Sequence, residues 1–401
     1  MLLHTRIPAA LSVISAVALL SGVASVSASA ATGPRVIATI PVGSQPWGVA
    51  VSPNGAFAYV SNFASNSISV IDLSSWSVTS TIASIAAPLG IAFTPSGTQA
   101  YVSASGTGSF ARINTTTHTL TQTLSGGLCT SPSNIVANPA GGAMYASCGS
   151  NNRGASIDTT SQAVSDTLAS VLEALNDITV APDGGSLVWA RGTRVWFQCC
   201  GSFVTPTSSP LAIAAVAGLD RVFTANPGDG TVSVIRATAP RTLLSTITIG
   251  GSPQDIVISA DGSTAYVTDG SGNSLVIVDL ATETASSTVA VGSSPEQVAL
   301  TPDGRYALVA NSASNSVSVI DLSVPASGDQ VPRAPMQQFA RGEDEACDRA
   351  PADLVDFPAL GAAVHDFGWG MSWAQWPNGG TGGFVCTRQP FYTTTGTWAV
   401  R

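Results

Sequence analysis

The stretch Pro295–Leu322, PEQVALTPDGRYALVANSASNSVSVIDL, sets the pattern for most of the chain. It predicts three short β-strands: an apolar run that ends at Leu300, a second run around Leu308, and a third over 317–320 with alternating apolar and polar residues. A Thr-Pro-Asp-Gly turn separates the first two strands, and an Asn/Ser-rich turn separates the last two. One such unit cannot bury its own faces, so we expect further copies.

Six other stretches follow the same order of strand, turn and strand. Pro46–Leu73, PWGVAVSPNGAFAYVSNFASNSISVIDL, matches the opening stretch turn for turn. The units begin at Pro46, Pro88, Pro132, Leu175, Pro210, Pro253 and Pro295. Their spacing is 42 to 44 residues, except for one step of 35 residues before Pro210. A period near 40 residues with several strands in each unit predicts the seven blades of a β-propeller.

One strand lies outside these units. Arg35–Val42, RVIATIPV, matches the strand that closes other units, such as Leu243–Ile249, yet it precedes the first unit. The seventh unit lacks a fourth strand after Leu322. We therefore expect residues 35–42 to complete the last blade, which leaves no free sheet edge. The predicted fold class is all-β, a seven-bladed β-propeller closed by an N-terminal strand.

The second strands carry related tetrapeptides, among them Tyr59-Val-Ser-Asn62, Tyr266-Val-Thr-Asp269 and Leu308-Val-Ala-Asn311. This pattern resembles the YVTN-repeat, YncE-like β-propellers, which are secreted or periplasmic. The resemblance covers residues 36 to 323 and implies the propeller fold. It leaves the function open, because propellers carry many unrelated activities.

The N-terminal residues 1–30 predict a signal peptide. Arg6 precedes an apolar run over 7–23, and Ala28-Ser29-Ala30 supplies a cleavage site. A transmembrane anchor is the alternative, but it needs about 20 apolar residues, and this run is shorter and contains Pro8. We expect a secreted or cell-envelope protein with no membrane span after cleavage.

Three segments follow the signal peptide. Residues 31–323 are expected to form the propeller, and the proline-rich residues 324–336 a linker. Residues 337–401 contain Trp369, Trp373, Trp376 and Trp398 and are predicted to form a small, disulfide-containing, β-rich domain. This domain resembles a C-terminal module of exported actinobacterial proteins, for which no activity is implied.

The charge of the chain limits its partners. The formal net charge is −9, and all 15 basic residues are arginine. An acidic, lysine-free surface argues against binding to nucleic acid or to anionic lipid.

The six cysteines favour disulfides in an exported chain. Cys129 precedes the first strand of the third unit and Cys148 ends its second strand, so a hairpin would bring them together. Cys347 and Cys386 flank the C-terminal segment and make a second candidate pair. The adjacent Cys199 and Cys200 either form a vicinal disulfide or remain free thiols.

Ligands of propellers usually meet one mouth of the central channel, which the innermost strands line. In unit order, the residues that begin these strands are Trp47, Leu89, Ser133, Asn176, Leu211, Gln254 and Glu296, which we call the first layer. The next residues are Gly48, Gly90, Asn134, Asp177, Ala212, Asp255 and Gln297, which we call the second layer. The candidate ligand-binding residues are Trp47, Asn134, Asn176, Asp177, Gln254, Asp255, Glu296 and Gln297.

Two chemical roles are open for these residues. Asp177, Asp255 and Glu296 could hold a divalent cation through oxygen ligands, or they could bond backbone amides around the channel. No other cofactor is expected. Asn62, Asn226 and Asn311 follow the second strands and could bond sugar hydroxyls or peptide beside a Trp47 stacking platform, or could be ordinary turn residues.

The histidines exclude some chemistries. Apart from His4 in the signal segment, they are His118, expected at the outer strand of the second unit, and His365 in the tail. A multi-histidine copper centre is therefore excluded, and the chain has no Cys-x-x-Cys-His haem motif.

The leading hypothesis is a non-enzymatic scaffold that binds an unidentified protein or cell-envelope glycan at one channel mouth. The alternative is a metal-assisted hydrolase or lyase, lactonase-like, that uses the acidic cluster. The sequence leaves the ligand and the oligomeric state open.

Overall fold

The computed structural model describes residues 33–323 apart from residues 126, 128, 150, 169–172 and 174, together with the backbone of three short strands near the C-terminus. The predicted signal peptide 1–30, the linker 324–336 and the pairing of Cys347 with Cys386 lie outside the described residues. The chain divides into two compact units, Met1–Ser327 and Gly328–Arg401.

The first unit consists of seven four-stranded antiparallel sheets, and the described residues contain no helix. The innermost strands are β2 (Pro46–Val51), β6 (Pro88–Phe93), β10 (Pro132–Ala137), β14 (Leu175–Val180), β18 (Ala212–Ala215), β22 (Pro253–Ile258) and β26 (Pro295–Leu300). The second strands are β3 (Phe57–Asn62), β7 (Gln99–Ala104), β11 (Ala143–Cys148), β15 (Leu187–Arg191), β19 (Arg221–Asn226), β23 (Thr264–Asp269) and β27 (Tyr306–Asn311).

The third strands are β4 (Ser67–Asp72), β8 (Ser109–Asn114), β12 (Arg153–Asp158), β16 (Arg194–Phe197), β20 (Thr231–Arg236), β24 (Ser274–Asp279) and β28 (Ser316–Asp321). The outer strands are β5 (Ser77–Ala83), β9 (Thr119–Ser125), β13 (Val164–Leu168), β17 (Ser202–Val204), β21 (Leu243–Thr248), β25 (Thr284–Ala290) and β1 (Arg35–Pro41). Each innermost strand contacts the innermost strands of both neighbouring blades, which closes a ring. The predicted seven-bladed propeller is confirmed. No helix able to cross a membrane occurs among the described residues.

The N-terminal strand completes the last blade. Strand β1 pairs antiparallel with β28, and the sheet order is β1-β28-β27-β26. Ile40 on β1 lies opposite Val317 and is only 3% exposed. The predicted closure by residues 35–42 is confirmed, so the two ends of the repeat array share one sheet.

Turn chemistry shapes each inner hairpin in the way that the sequence predicts. In the seventh blade, Asp303 Oδ1 accepts hydrogen bonds from Thr301 Oγ1 (2.5 Å) and from the backbone nitrogen of Arg305 (3.1 Å). Gly304 takes a φ of 68°, which favours glycine. The Asp-Gly turns therefore build the blades.

The core lies at the seams between blades. Seven clusters of buried apolar residues occur, one at each seam of the ring. The smallest lies between blades three and four and has four buried members, Leu175, Ile178, Leu187 and Trp189. Stability therefore depends on every blade having both neighbours in place.

A disulfide bridge joins Cys129 and Cys148 within blade three, as predicted, and their Cα atoms are 5.4 Å apart. It fixes the segment before β10 to the end of β11. Blade four is short, as its spacing predicted, because a tight turn joins β15 to β16 and β17 has only three residues. Cys199 and Cys200, in the turn after β16, are exposed free thiols.

The second unit contains a three-stranded antiparallel sheet. Its strands are β29 (Val364–Asp366), β30 (Met371–Ala374) and β31 (Gly383–Cys386), paired in that order. The predicted β content of this segment thus has a backbone counterpart.

Candidate functional site

The second layer forms hydrogen bonds across the channel. Gln297 on β26 of blade seven donates from Nε2 to Asn134 Oδ1 on β10 of blade three, at 2.7 Å. These blades lie on opposite sides of the ring, so this bond spans the channel. Asn134 also forms a side-chain hydrogen bond with Asp177 of blade four. The structure thus brings together three residues that the sequence placed only at equivalent positions.

Glycines on the first two blades let neighbouring innermost strands approach closely. A Cβ atom on Gly48 would clash with the Leu89 carbonyl oxygen of blade two, and one on Gly90 would lie 2.7 Å from the Ser133 carbonyl oxygen of blade three. Such contacts are too close for an added methyl group, so glycine is needed here chiefly because the backbone of the next blade lies against it. The Gly48 position also lies 3.0 Å from Gln297 Oε1.

The two aspartates of the second layer connect neighbouring blades. Asp177 Oδ2 accepts a hydrogen bond from the backbone nitrogen of Ile213 in blade five (2.8 Å), and its Oδ1 accepts one from Ile178 (2.7 Å). Asp255 Oδ2 accepts one from the backbone nitrogen of Val298 in blade seven (3.0 Å). Each carboxyl group therefore satisfies an amide of the next blade, which supports the amide-bonding alternative from the sequence.

Burial changes the acidity of these groups. Burial raises the pKa of Asp177 to about 6, against the opposing effect of its hydrogen bonds. Burial raises the pKa of Asp255 to about 7, and repulsion from Asp177 and Glu296 adds to that rise. Burial also raises the pKa of Glu296. The channel therefore holds carboxyl groups that take up protons near neutral pH.

The acidic cluster of Asp177, Asp255 and Glu296 is the candidate cation site predicted from the sequence. Within the part of the chain that the structure describes, no three His, Cys, Asp or Glu side chains lie close enough together to hold a metal ion. Both oxygens of Asp177 already accept backbone hydrogen bonds.

The first layer lies where the innermost strands begin, and apart from the exposed Trp47 its side chains are half-buried. Trp47 is 38% exposed. Asn176 donates from Nδ2 to the Pro210 carbonyl (2.8 Å), and Gln254 donates from Nε2 to the Ser252 carbonyl (3.0 Å). Glu296 Oε1 accepts a hydrogen bond from Ser312 Oγ (3.0 Å).

Each of these three polar side chains keeps one acceptor atom uncommitted. The atoms are Asn176 Oδ1, Gln254 Oε1 and Glu296 Oε2, and none accepts a hydrogen bond from another described side chain or backbone group. The local bonds fix the side chains, so the three acceptors are held in place before a ligand arrives.

The asparagines at the ends of the second strands do not serve the mouth. Asn62, Asn226 and Asn311 are fully buried. Each donates from Nδ2 to a hydroxyl group of the neighbouring third strand, Ser69 (3.0 Å), Ser233 (2.9 Å) and Ser318 (3.0 Å) respectively. The suggestion that they bond a ligand at the mouth is wrong, because they are fully buried and their amide nitrogens link strands within the blade. Asn62 Oδ1 and Asn311 Oδ1 have no hydrogen-bond partner among the described residues.

His118 also has a different setting from the expected outer strand. It lies in the turn between β8 and β9, and its Nδ1 is 2.8 Å from the Tyr59 hydroxyl of blade one. Burial lowers its pKa. It therefore belongs to the seam between blades one and two.

One exposed aromatic residue at the rim was not among the binding residues predicted from the sequence. Phe63 is 37% exposed and follows β3, and its backbone nitrogen donates to the Gln45 carbonyl (2.9 Å), two residues before Trp47. The equivalent positions in the other blades carry small residues or proline: Ser105, Gly149, Gly192, Pro227, Gly270 and Ser312. The sequence signal that could have identified Phe63 is its aromatic side chain at a position that holds a small residue or proline in the other six blades.

A surface depression of about 460 Å³ lies elsewhere, lined by residues of β1, of β28 with the turn before it, and of the end of β25 with its following loop. None of its lining residues is on an innermost strand. It is therefore separate from the channel mouth.

The comparisons with known proteins concern the fold. Residues 221–329, from blade five onward, match the family model described as lactonase, 7-bladed beta-propeller. No curated protein sequence matches the chain.

Two solved structures are similar to this chain. One is Kuenenia stuttgartiensis hydrazine synthase, with a TM-score of 0.62 and 21% identity over 70% of this chain and 96% of that one. The other is the Myceliophteria thermophila Cps50 (Swd1) β-propeller domain, with a TM-score of 0.63 and 9% identity over 72% of this chain and all of that one. At such low identity these similarities show the fold alone. Together with the sheet topology, they establish that residues 35–321 form a seven-bladed β-propeller.

Proposed function

We propose that this protein is a non-enzymatic scaffold that binds a cell-envelope ligand at the mouth formed by the first layer. The observation that carries the proposal is the set of three anchored acceptors, Asn176 Oδ1, Gln254 Oε1 and Glu296 Oε2, on the same layer as the exposed Trp47. Below them, the bond between Gln297 and Asn134 crosses the channel. This arrangement favours binding at the mouth over passage through the channel.

The chemistry of the mouth favours a glycan over a protein. The three acceptors favour a ligand that carries hydrogen-bond donors, and sugar hydroxyl groups supply these. A sugar ring also presents an apolar face that can pack on an exposed indole. The net charge of −9 and the carboxyl group of Glu296 disfavour a strongly anionic glycan.

The location proposed for this activity is outside the cytoplasm. The apolar segment 7–23 with its Ala28-Ser29-Ala30 site supports export. The disulfide between Cys129 and Cys148 suits an oxidising compartment.

A sedimentation assay with insoluble cell-envelope material tests the proposal. The full chain should sediment with untreated and with protease-treated envelopes, and binding should be lost after the glycan is digested. Loss of binding after protease treatment alone would identify a protein ligand. Failure to bind any of these preparations would contradict the scaffold proposal.

A hydrolase acting on a lactone is the second candidate. The matching lactonase family model over residues 221–329 favours it, and so does Asp255, whose raised pKa of about 7 suits a general acid or base. A pH-stat assay of lactone hydrolysis with and without Mg²⁺ or Ca²⁺ distinguishes the candidates. Metal-dependent turnover that Asp255→Asn abolishes would replace the scaffold proposal with the hydrolase.

A further inference from the structure

Two adjacent thiols occupy the surface turn that joins β16 to β17 in blade four. Cys199 and Cys200 are both exposed, and their Sγ atoms are 2.9 Å apart. They lie on the shortest blade of the ring, away from the innermost strands. Nothing in the proposed glycan site uses them.

Polar groups around the pair favour a reactive thiolate. The Ser202 hydroxyl lies 3.3 Å from Cys200 Sγ, and Arg241 of blade five donates from Nη2 to Cys199 Sγ at 3.3 Å. The Arg241 guanidinium is itself held over the Phe197 ring, with its carbon 4.8 Å from the ring centroid. A fixed cation and a hydroxyl donor beside a thiol are the surroundings that stabilise thiolates.

The two thiols are unequal. Hydrogen bonds from Cys199 and Ser202 lower the pKa of Cys200, whereas burial and the neighbouring Cys200 raise the pKa of Cys199. The charge of Arg241 acts on both thiols and also on Asp183, the carboxylate that faces it from the β14–β15 turn. Cys200 is therefore the better first nucleophile, and Cys199 is the residue whose thiolate Arg241 can stabilise later.

We propose that Cys199 and Cys200 form a thiol–disulfide exchange site. The pair gives two electrons to a small-molecule disulfide and is itself oxidised to a vicinal disulfide. The Cys200 thiolate attacks one sulfur of the external disulfide, forms a mixed disulfide and releases one external thiolate. That thiolate takes the proton of Cys199. The Cys199 thiolate, stabilised by Arg241, then attacks Cys200 Sγ, closes the vicinal disulfide and releases the second external thiolate, which is protonated by water.

The geometry of neighbouring residues makes the closed form easy to reopen. Consecutive Cα atoms are about 3.8 Å apart across a trans peptide, whereas ordinary disulfides span about 4.4–6.8 Å. The turn must therefore adjust on closure. Reduced external thiols should then restore the dithiol, which distinguishes this pair from the structural bridge between Cys129 and Cys148.

Trypsin isolates the pair for a direct test. Cleavage after Arg194 and Arg221 releases residues 195–221, in which Cys199 and Cys200 are the only cysteines. The folded full chain, reduced gently and then treated with oxidised glutathione, should yield this peptide lighter by two hydrogen atoms. Dithiothreitol should restore the original mass.

Variants separate the two steps. Cys200→Ser should abolish the reaction, and Cys199→Ser should accumulate the glutathione adduct on Cys200. Arg241→Gln should slow ring closure about tenfold, as expected for one lost charge-assisted hydrogen bond, so the adduct appears transiently. Arg194→Gln is the matched control, because Arg194 lies over the Phe203 ring on the same blade, and it should react like the unaltered chain. Its thiols are read in the tryptic peptide 192–221, because cleavage then follows Arg191.

Two results would overturn the proposal. One is a peptide 195–221 that keeps both thiols after prolonged treatment while the chain remains folded by circular dichroism. The other is an Arg241→Gln variant with unchanged rates of both steps. Loss of folding in Arg241→Gln would not leave the question open, because the two cysteine variants test the order of attack independently.

Discussion

Asp255 and Asp177 have two opposing effects on the stability of the fold. Their hydrogen bonds to Val298 and Ile213 hold neighbouring blades together, yet burial disfavours the charged form of both, and repulsion from Asp177 and Glu296 adds to this for Asp255. A carboxyl group whose folded pKa exceeds its unfolded value stabilises the fold most at pH below the unfolded value near 3.9, and that contribution is lost as pH rises through the folded value. The window for this loss runs upward to pH about 6 for Asp177 and about 7 for Asp255.

We predict that Asp255→Asn raises the thermal midpoint at pH 8. The amide oxygen can still accept the Val298 hydrogen bond, and the charge is gone. The midpoint should rise by about 2–4 °C for each kcal/mol that burial and repulsion of the charged carboxylate cost. At pH 4.5 the two proteins should melt alike. Thermal scans by circular dichroism at both pH values check this, and a midpoint that falls at pH 8 would show that the charged carboxylate stabilises the ring.

His118 makes the opposite contribution over a neighbouring pH range. Burial lowers its pKa, so the stability that it contributes is present above its unfolded pKa near 6.5 and is lost as pH falls through the lower folded value. Its contact with Tyr59 has a counterpart in the next blade, where the Tyr101 hydroxyl donates to Gln162 Oε1 at 3.0 Å.

The counterpart supplies the variant. Gln162 has a φ of 64° and His118 a φ of 51°, so glutamine tolerates this turn. His118→Gln should keep the melting midpoint at pH 8 within about 1–2 °C, since a surface-turn exchange that retains its hydrogen bond changes stability little. It should also remove the part of the stability loss at acid pH that protonation of His118 contributes. An unchanged loss of stability at acid pH in the variant would mean that other groups cause this loss.

At the scale of the element, strand β1 closes the ring. Ile40 is 3% exposed at the seam between blades seven and one, whereas Ile37 on the same strand is 40% exposed. Ile40→Ala should cost about 2–4 kcal/mol in the free energy of unfolding, and Ile37→Ala should cost less than about 0.5–1 kcal/mol. Urea unfolding of both variants measures the difference. Equal small losses would mean that β1 is not required for closure.

The disulfide between Cys129 and Cys148 stabilises the first two strands of blade three. It closes a loop with a sequence separation of 19 residues, for which loop entropy predicts about 3 kcal/mol of stabilisation. Replacing both Cys129 and Cys148 by serine should therefore lower the free energy of unfolding by about 2–4 kcal/mol. Urea unfolding without reductant provides the measurement, and an unchanged midpoint would contradict the entropic account.

The strands were predictable from sequence because each repeat carries its own turn residues and alternation. Closure by residues 35–42 was predictable as well, since the seventh repeat lacks its fourth strand and no other segment matches it. The bond from Gln297 to Asn134 was not predictable, because it joins repeats on opposite sides of the ring, and the repeat pattern specifies neighbours only. The burial of Asn62 was missed because a turn position in sequence resembles an exposed one.

At the scale of the whole molecule, different layers of the propeller carry stability and ligand binding. The seams and the second layer hold the ring together, and the first layer presents an exposed indole with three anchored acceptors. Residues that depart from the repeat, Trp47 and Phe63, concentrate on the rim of blade one. Such departures from an otherwise regular array of repeats are expected at a binding surface.

The most direct test of this account is the affinity of the mouth for a sugar ligand. Isothermal titration with N-acetylglucosamine oligosaccharides should show binding to the full chain, weakened about tenfold or more in Trp47→Ala by the loss of aromatic packing. Phe203→Ala removes an aromatic residue that is 42% exposed on blade four, and it should bind like the unaltered chain. Equal affinities for all three proteins, or no binding to any of them, would contradict the proposal that this mouth binds a glycan.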